Sequence, residues 1–256
     1  IAQPFMDRGI PVVVYFRNVE FDELGGDPSQ LNGALFIANS QFTAKAYADA
    51  FGIKCTVIPP TIDTSKFSFE SSREFVTLIN LYPEKGYEKA KKIARACPEI
   101  PFLFVESWKL HGEHLKAIDA DLSDLPNVTF MRRTNDMETV YGRTKILLAP
   151  SKWQEAWGRV ASEAHCSSIP VVGSTRGGLP EAIGPGGELI DYDAPDDVWV
   201  SSLRKLWHDQ DYYDELSATA LKFSRREQMN ATSAIDTFSK VLEDAVRAHS
   251  PSKILV

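Results

Sequence analysis

Short apolar runs alternate with segments of helical period along most of the chain. Residues 11–16 (PVVVYF), 34–38 (ALFIA) and 56–58 read as strands, the first two apolar enough to be buried on both faces. Ser40 is placed to cap a helix over residues 42–51, and Gly52 to stop it. Pro59, Pro60 and the polar run 64–72 (TSKFSFESS) then break the pattern and predict an interdomain linker. A second series of strands follows at 75–80, 102–106, 128–131, 146–149, 171–173 and 188–190, with helical segments between them. Beyond Pro195 the chain reads as helical, ending in an amphipathic helix over 232–247. Such alternation predicts parallel sheets flanked by helices.

The six later strands suffice for a complete doubly wound domain. The earlier stretch supplies only three strands in about 60 residues, against roughly 100–150 for a typical domain. It is therefore expected to be the back half of an N-terminal α/β domain whose front is absent. The expected boundaries are a partial N-terminal domain at 1–68, a ligand-binding domain at 69–231, and a C-terminal helix at 232–256 crossing back to the first.

The chemistry concentrates in residues 149–184, APSKWQEAWGRVASEAHCSSIPVVGSTRGGLPEAIG. An apolar strand ends at Pro150, a loop carries Glu155, and a helix opens near Gly158 with Glu163 on its second turn. The next strand runs into a Gly177-Gly178 loop. Ligands of open α/β sheets bind at the carboxyl ends of strands, where these loops fall. A glycine at a helix start admits a diphosphate close to backbone N–H groups, and the helix dipole favours its charge. Glu163 lies about 7–8 Å along the axis from Gly158 at 1.5 Å per residue. A diphosphate at the helix start thus has a carboxylate on either side, one for a sugar and one for a ribose.

Glu155 and Glu163, separated by seven residues in EAWGRVASE, together with Ile169-Pro170-Val171-Val172 and Gly177-Gly178-Leu179-Pro180-Glu181, resemble the E-x7-E region of glycosyltransferase family 4. That resemblance implies a GT-B-type fold and transfer of a sugar from a UDP- or GDP-type nucleotide sugar with retention of anomeric configuration. It implies that Glu155 reaches the donor sugar, that the backbone of Ala156, Trp157, Gly158, Arg159 and Val160 holds the diphosphate, and that Glu163 binds the ribose. Leu81-Tyr82-Pro83-Glu84-Lys85-Gly86 is similar to the family's phosphate-neutralising loop. Lys85 fits its lysine, a second catalytic candidate beside Glu155, while the family's arginine is replaced by Asn80. Met131 and Arg132 fall where the family holds the base. Residues 36–40 and 57–63 resemble the end of the acceptor domain, where Arg17 is a weak acceptor-side candidate in place of the family's histidine. The family's early glycine-rich loop has no counterpart. Two other readings stay open: a sugar-nucleotide epimerase on the same fold, and a non-catalytic nucleotide-sugar-binding module.

Composition narrows the partners. The net charge of −7 argues against a nucleic-acid partner, which needs a basic face. No apolar window is long enough to span a bilayer. Three widely spaced cysteines, Cys55, Cys97 and Cys166, read as buried thiols in a reducing compartment. The expected location is cytoplasmic, with peripheral membrane contact left open. The expected acceptor is a glycan, a lipid-linked or a small molecule, with no cofactor beyond the substrate and no metal. His111 and His114 lack the spacing of a zinc helix, and a polar loop is the expectation there. Trp153 and Trp157 are expected to be buried against the sheet, His165 to pack or cap, and Lys89, Lys91, Lys92 and Arg95 to form a solvated face.

Overall fold

The structure, a computed structural model, describes residues 2–249. The chain divides into two compact units. One runs to Thr61 and resumes at Glu227; the other is Ile62–Arg226. These junctions differ from the expected 68 and 231, and the reason is local. The run predicted as a linker is bonded to the larger unit: Phe69 N–H donates to Ser167 Oγ, Ser71 Oγ to the Thr144 carbonyl, and Ser72 N–H to the Gly142 carbonyl. Ser71 and Ser72 of this polar run donate to main-chain carbonyls of the larger unit, and Phe67 packs edge-on to Tyr141. Of the expected C-terminal segment, residues 250–256 lie outside the described residues.

The smaller unit opens with a short helix α1 (Gln3–Met6) and builds a parallel sheet from β1 (Val13–Phe16), β2 (Leu35–Ala38) and β3 (Thr56–Val57), in that order. Helix α2 (Gln41–Phe51) is capped by Ser40, whose oxygen accepts from Thr43 N–H, and ends at Gly52 in the left-handed region. Tyr47 on α2 stacks on Phe16. On another cluster, Val241 of α10 (Ala231–His249) packs with Ile37 and Ile58, so the last helix belongs to this unit's core.

The larger unit holds β4 (Phe75–Ile79), β5 (Phe102–Val105), β6 (Val128–Met131), β7 (Thr144–Ala149), β8 (Val171–Ser174) and β9 (Gly187–Ile190). All are parallel, in the order β6-β5-β4-β7-β8-β9. Between them run α3 (Tyr87–Ala96), α4 (Gly112–Leu122), α5 (Glu138–Tyr141), α6 (Arg159–Cys166) and α7 (Leu179–Ile183), followed by α8 (Asp196–His208) and α9 (Gln210–Ser224). Strand order grows outward from β4 in one direction and from β7 in the other. Loops leaving two such neighbours diverge and open a crevice at their carboxyl ends. The loop after β4 carries Lys85; the loop after β7 carries Glu155.

Several side chains depart from their expected settings. Lys89 and Lys91 are largely buried rather than solvated, Lys89 paired with Asp196 beside the Tyr192 ring and Lys91 paired with Asp121 over Tyr87. Their long stems cover apolar surface while the ammonium finds an acid. Cys55 is only half-buried, whereas Cys97 and Cys166 are buried. Trp157 is buried as expected, but Trp153 is 39% exposed.

His165, on α6, is fully buried, with Phe223 of α9 edge-on to its ring. Burial, aided by the nearby Arg226 charge, pushes its pKa down to about 3. Above pH ~6.5 the ring is neutral folded and unfolded alike. Between ~6.5 and about 3 the unfolded chain takes up a proton that the folded chain refuses. Stability therefore falls with falling pH across that window, by up to about 1.4 kcal/mol per unit. Urea denaturation of the larger unit from pH 7 to 4 is expected to show this slope, and His165→Gln to flatten it; an unchanged slope would refute the account.

Candidate functional site

Two loops meet at the β4/β7 crevice, and the backbone joins them first. The Glu84 carbonyl accepts from the N–H groups of Lys152 and Trp153, each at 2.9 Å. Gly86, in the left-handed region, lies so close to Pro150 that a Cβ would collide with the Pro150 carbonyl. Gly177 approaches the Glu155 backbone in the same way, and Gly178 N–H donates to the Glu155 carbonyl. The Gly-Gly loop after β8 is thus a packing surface for the segment that carries Glu155.

On that frame Lys85 Nζ lies 2.7 Å from Glu155 Oε1, with both side chains largely buried. Ser151 Oγ donates to the same carboxylate oxygen at 2.9 Å and sits 3.2 Å from the Glu84 carbonyl. Immediately beyond, Gly158 takes a left-handed conformation and α6 begins without a side-chain cap. The first N–H groups of a helix have no intrahelical acceptor, so this terminus presents donors and a positive dipole end. Trp157, by contrast, turns its ring inward and donates from Nε1 to Ser162 Oγ.

Glu163 is nearly buried on α6. Tyr141 Oη donates to its Oε2 at 3.0 Å, and Arg159 lies 3.3 Å from its Oε1. Burial raises the Glu163 pKa despite these partners, and it raises that of Tyr141 strongly. Asn80, the first residue past β4, has φ of 81° and accepts from Tyr82 N–H at 3.3 Å. Asparagine tolerates this left-handed conformation better than most side chains and closes the turn with its amide oxygen.

Glu163, Arg159 and Val160 line one side of an open groove of about 710 Å³ that extends across the ends of β4, β5 and β6. Its other walls include Ser107, Trp108 and Lys109 after β5, and Arg133, Thr134 and Asn135 after β6. Met131 instead packs with Leu103, Val105 and Val140. Arg132 is drawn to Glu106, with Nε 2.8 Å from Oε2. The structure thus brings Lys85, Glu155 and the start of α6 together at the crevice, and Arg159, Val160 and Glu163 together in the groove. Arg17 is exposed just past β1, in the smaller unit, and enters no ion pair among the described residues.

Sequence reasoning passed over Ser151, Tyr141 and Glu106. Nothing in the sequence flags the first two. Glu106 carried a signal, an acid directly after the apolar strand FLFV. Among the described residues, no group of three or more His, Cys, Asp or Glu is placed to hold a metal ion.

The family profile for glycosyl transferases group 1 matches residues 60–223, well over half the chain. The chain belongs to that family. This group 1 member is 35% identical over 131 residues to the D-inositol 3-phosphate glycosyltransferase of Corynebacterium kroppenstedtii, a stretch covering 50% of this chain and 28% of that protein. It is 30% identical over 142 residues to spore coat protein SA of Bacillus subtilis, covering 51% of this chain and 36% of that one. The matched stretches thus span about a third of these relatives' lengths. In three dimensions the group 1 chain is similar to Anabaena HepE, solved in complex with UDP, with a TM-score of 0.81 at 19% identity over 95% of this chain and 75% of that one. Sucrose-phosphate synthase from Thermosynechococcus elongatus follows the same course with a TM-score of 0.73 at 16% identity, over 96% of this chain and 71% of that one. At these identities the likeness shows the fold alone, and that fold is of GT-B type.

Glu106 holds the groove of this group 1 member in shape. Its buried carboxylate accepts from Leu110 N–H at 2.8 Å, Arg133 N–H at 3.1 Å and Arg132 Nε at 2.8 Å. Burial alone would raise its pKa, but these donors outweigh it and hold the group below the usual carboxylate range. Glu106→Gln sets an amide NH2 against one of the donors. It is expected to lower unfolding free energy by about 1–3 kcal/mol, measured by urea denaturation at pH 7; wild-type stability would show the carboxylate to be dispensable.

Proposed function

We propose that this chain is the donor-binding portion of a retaining, metal-independent glycosyltransferase of family 4, with Glu155 and Glu163 as its E-x7-E pair. The donor is a UDP- or GDP-type nucleotide sugar. The acceptor is a glycan, a lipid-linked or a small molecule, and the reaction is cytoplasmic or at a membrane surface. The observation that carries the reading is the Lys85–Glu155 contact at the switch-point crevice, directly beside the uncapped start of α6. Family membership supports it, as does the UDP bound by the Anabaena protein of like fold. Among the described residues no helix is long and apolar enough to cross a membrane.

A diphosphate at the start of α6 meets the amides from Trp157 to Val160 and competes with Glu155 for Lys85. Lys85 then neutralises the leaving phosphate as the glycosidic bond lengthens and the sugar becomes oxocarbenium-like. Glu155, still held by Ser151, is released to accept from sugar hydroxyls. Its role is orientation, not covalent attack. Glu163, oriented by Tyr141 and Arg159, accepts from the ribose hydroxyls. With Asn80 where the family has arginine, the cationic work falls to Lys85, joined by Arg159. The helix terminus and these cations supply the stabilisation a divalent metal gives elsewhere.

Glu155→Ala removes the group that orients the sugar but frees Lys85 for phosphate. Turnover in a donor-and-acceptor assay is expected to fall by about 10²–10³-fold, while calorimetry shows UDP or GDP binding retained. Near-normal turnover would discard the role given to Glu155. Lys85→Ala deletes a charge-assisted contact and is expected to weaken binding of the free nucleoside diphosphate roughly 10- to 100-fold; unchanged affinity would count against Lys85 as the phosphate cation.

A further inference from the structure

Trp108 is the largest exposed side chain in the groove, with 54% of its surface accessible. Its exposure is built into the loop. Residues 107–109 form an arch pinned at both feet, because the Glu106 carboxylate accepts from Leu110 N–H at 2.8 Å. The ring stands at the crown of that arch. Tyr82 packs edge-on against it at 5.3 Å between centroids, and the Tyr82 hydroxyl reaches the Lys109 carbonyl at 3.4 Å. Holding an indole in water forfeits the favourable burial of a large apolar surface. A flat, preorganised ring in a groove lined by both polar and apolar side chains suits a flat ligand.

Two neighbours say which. Lys85 Nζ lies 5.2 Å from the centre of the Trp108 ring, so the ring borders the place proposed for the diphosphate. The same groove is lined by Arg133, Thr134 and Asn135, whose side chains and backbone can pair with the edge of a heteroaromatic base. The same Glu106 carboxylate that pins the Trp108 arch also accepts from Arg133 N–H at 3.1 Å. One buried acid thus ties the stacking rim to the hydrogen-bonding rim.

We propose that Trp108 is the stacking platform for the nucleobase of the donor, with Glu106 a positioning residue that fixes the spacing between the two rims of the slot. The inference rests on the nucleotide-sugar reading above and adds the residue that recognises the base. Stacking tolerates either a purine or a pyrimidine, since each has a π-face. Any choice between them then falls to residues 133–135.

The test is calorimetric titration of the whole chain with UDP, GDP and inorganic pyrophosphate, in the wild type, Trp108→Ala and Trp108→Phe. The side chain is on the surface, so both variants are expected to fold, and Trp108→Phe keeps a ring in place. Trp108→Ala is expected to weaken binding of the better nucleotide by roughly 5- to 150-fold, the range for loss of one base–aromatic stack. Trp108→Phe is expected to recover most of that loss, and pyrophosphate affinity to stay the same in all three proteins. Equal nucleotide affinity in wild type and Trp108→Ala would overturn the proposal while leaving the donor reading intact. A parallel loss of pyrophosphate affinity would also overturn it, because Trp108 would then act through Lys85 and not through the base. If wild type bound neither nucleotide, the donor reading would fall and this inference with it.

Discussion

The joining of two loops across the β4/β7 crevice is the constraint on which the site depends. Three contacts make the joint: the Glu84 carbonyl receiving the Lys152 and Trp153 N–H groups, the close approach of Gly86 to Pro150, and the Lys85–Glu155 pair. A largely buried ion pair is weak as a source of stability, because desolvation offsets much of its attraction. Its consequence here is positional. It draws a cation from one side of the switch point and an acid from the other to within 2.7 Å, at the place where α6 presents its uncapped amides.

A common pattern extends along the groove. Lys85 faces Glu155, Arg159 faces Glu163, and Arg132 faces Glu106. Each of these three cations is paired with a carboxylate. On the proposed reading, a diphosphate enters by exchange: the anion replaces a carboxylate as partner to the lysine, and the displaced carboxylate turns to neutral hydroxyls. Carboxylates held by further donors, Ser151 on Glu155 and Tyr141 on Glu163, can lose a cation without losing their orientation.

The sequence signalled the fold where the pattern was strongest. Five of the six later strands were marked to within a residue at each end by apolar runs. The third-last was the exception: β7 begins two residues earlier, at Thr144, because a threonine and a lysine opened it. That Thr144 hydroxyl is buried against Thr77 and the Val140 carbonyl, which no apolar pattern reveals. The run 64–72 misled for the opposite reason, Ser71 and Ser72 being bonded to the Thr144 and Gly142 carbonyls far along the chain. Glu155, Glu163 and Lys85 stood out as candidates because they sit in ordered strings, two of them in loops after strands and Glu163 on the helix that follows one. Ser151 and Tyr141 were not, since a serine four residues before a glutamate and a tyrosine twenty-two before another are unremarkable until folding makes them neighbours.

Periodicity and local chemistry therefore determined, from the sequence alone, that strands and helices alternate, that α6 starts at a glycine, and that acidic and basic side chains gather at the ends of strands. Only the tertiary structure decided which of those ends adjoin. It put β7 beside β4 and not beside β6, which brings Glu155 to Lys85, seventy residues away in the chain. It also pinned both the Trp108 arch and the Arg133 segment to the one carboxylate of Glu106. The physical reason is that hydrophobic pattern fixes what each segment becomes, while strand order is settled by packing and by hydrogen bonds between segments distant in sequence.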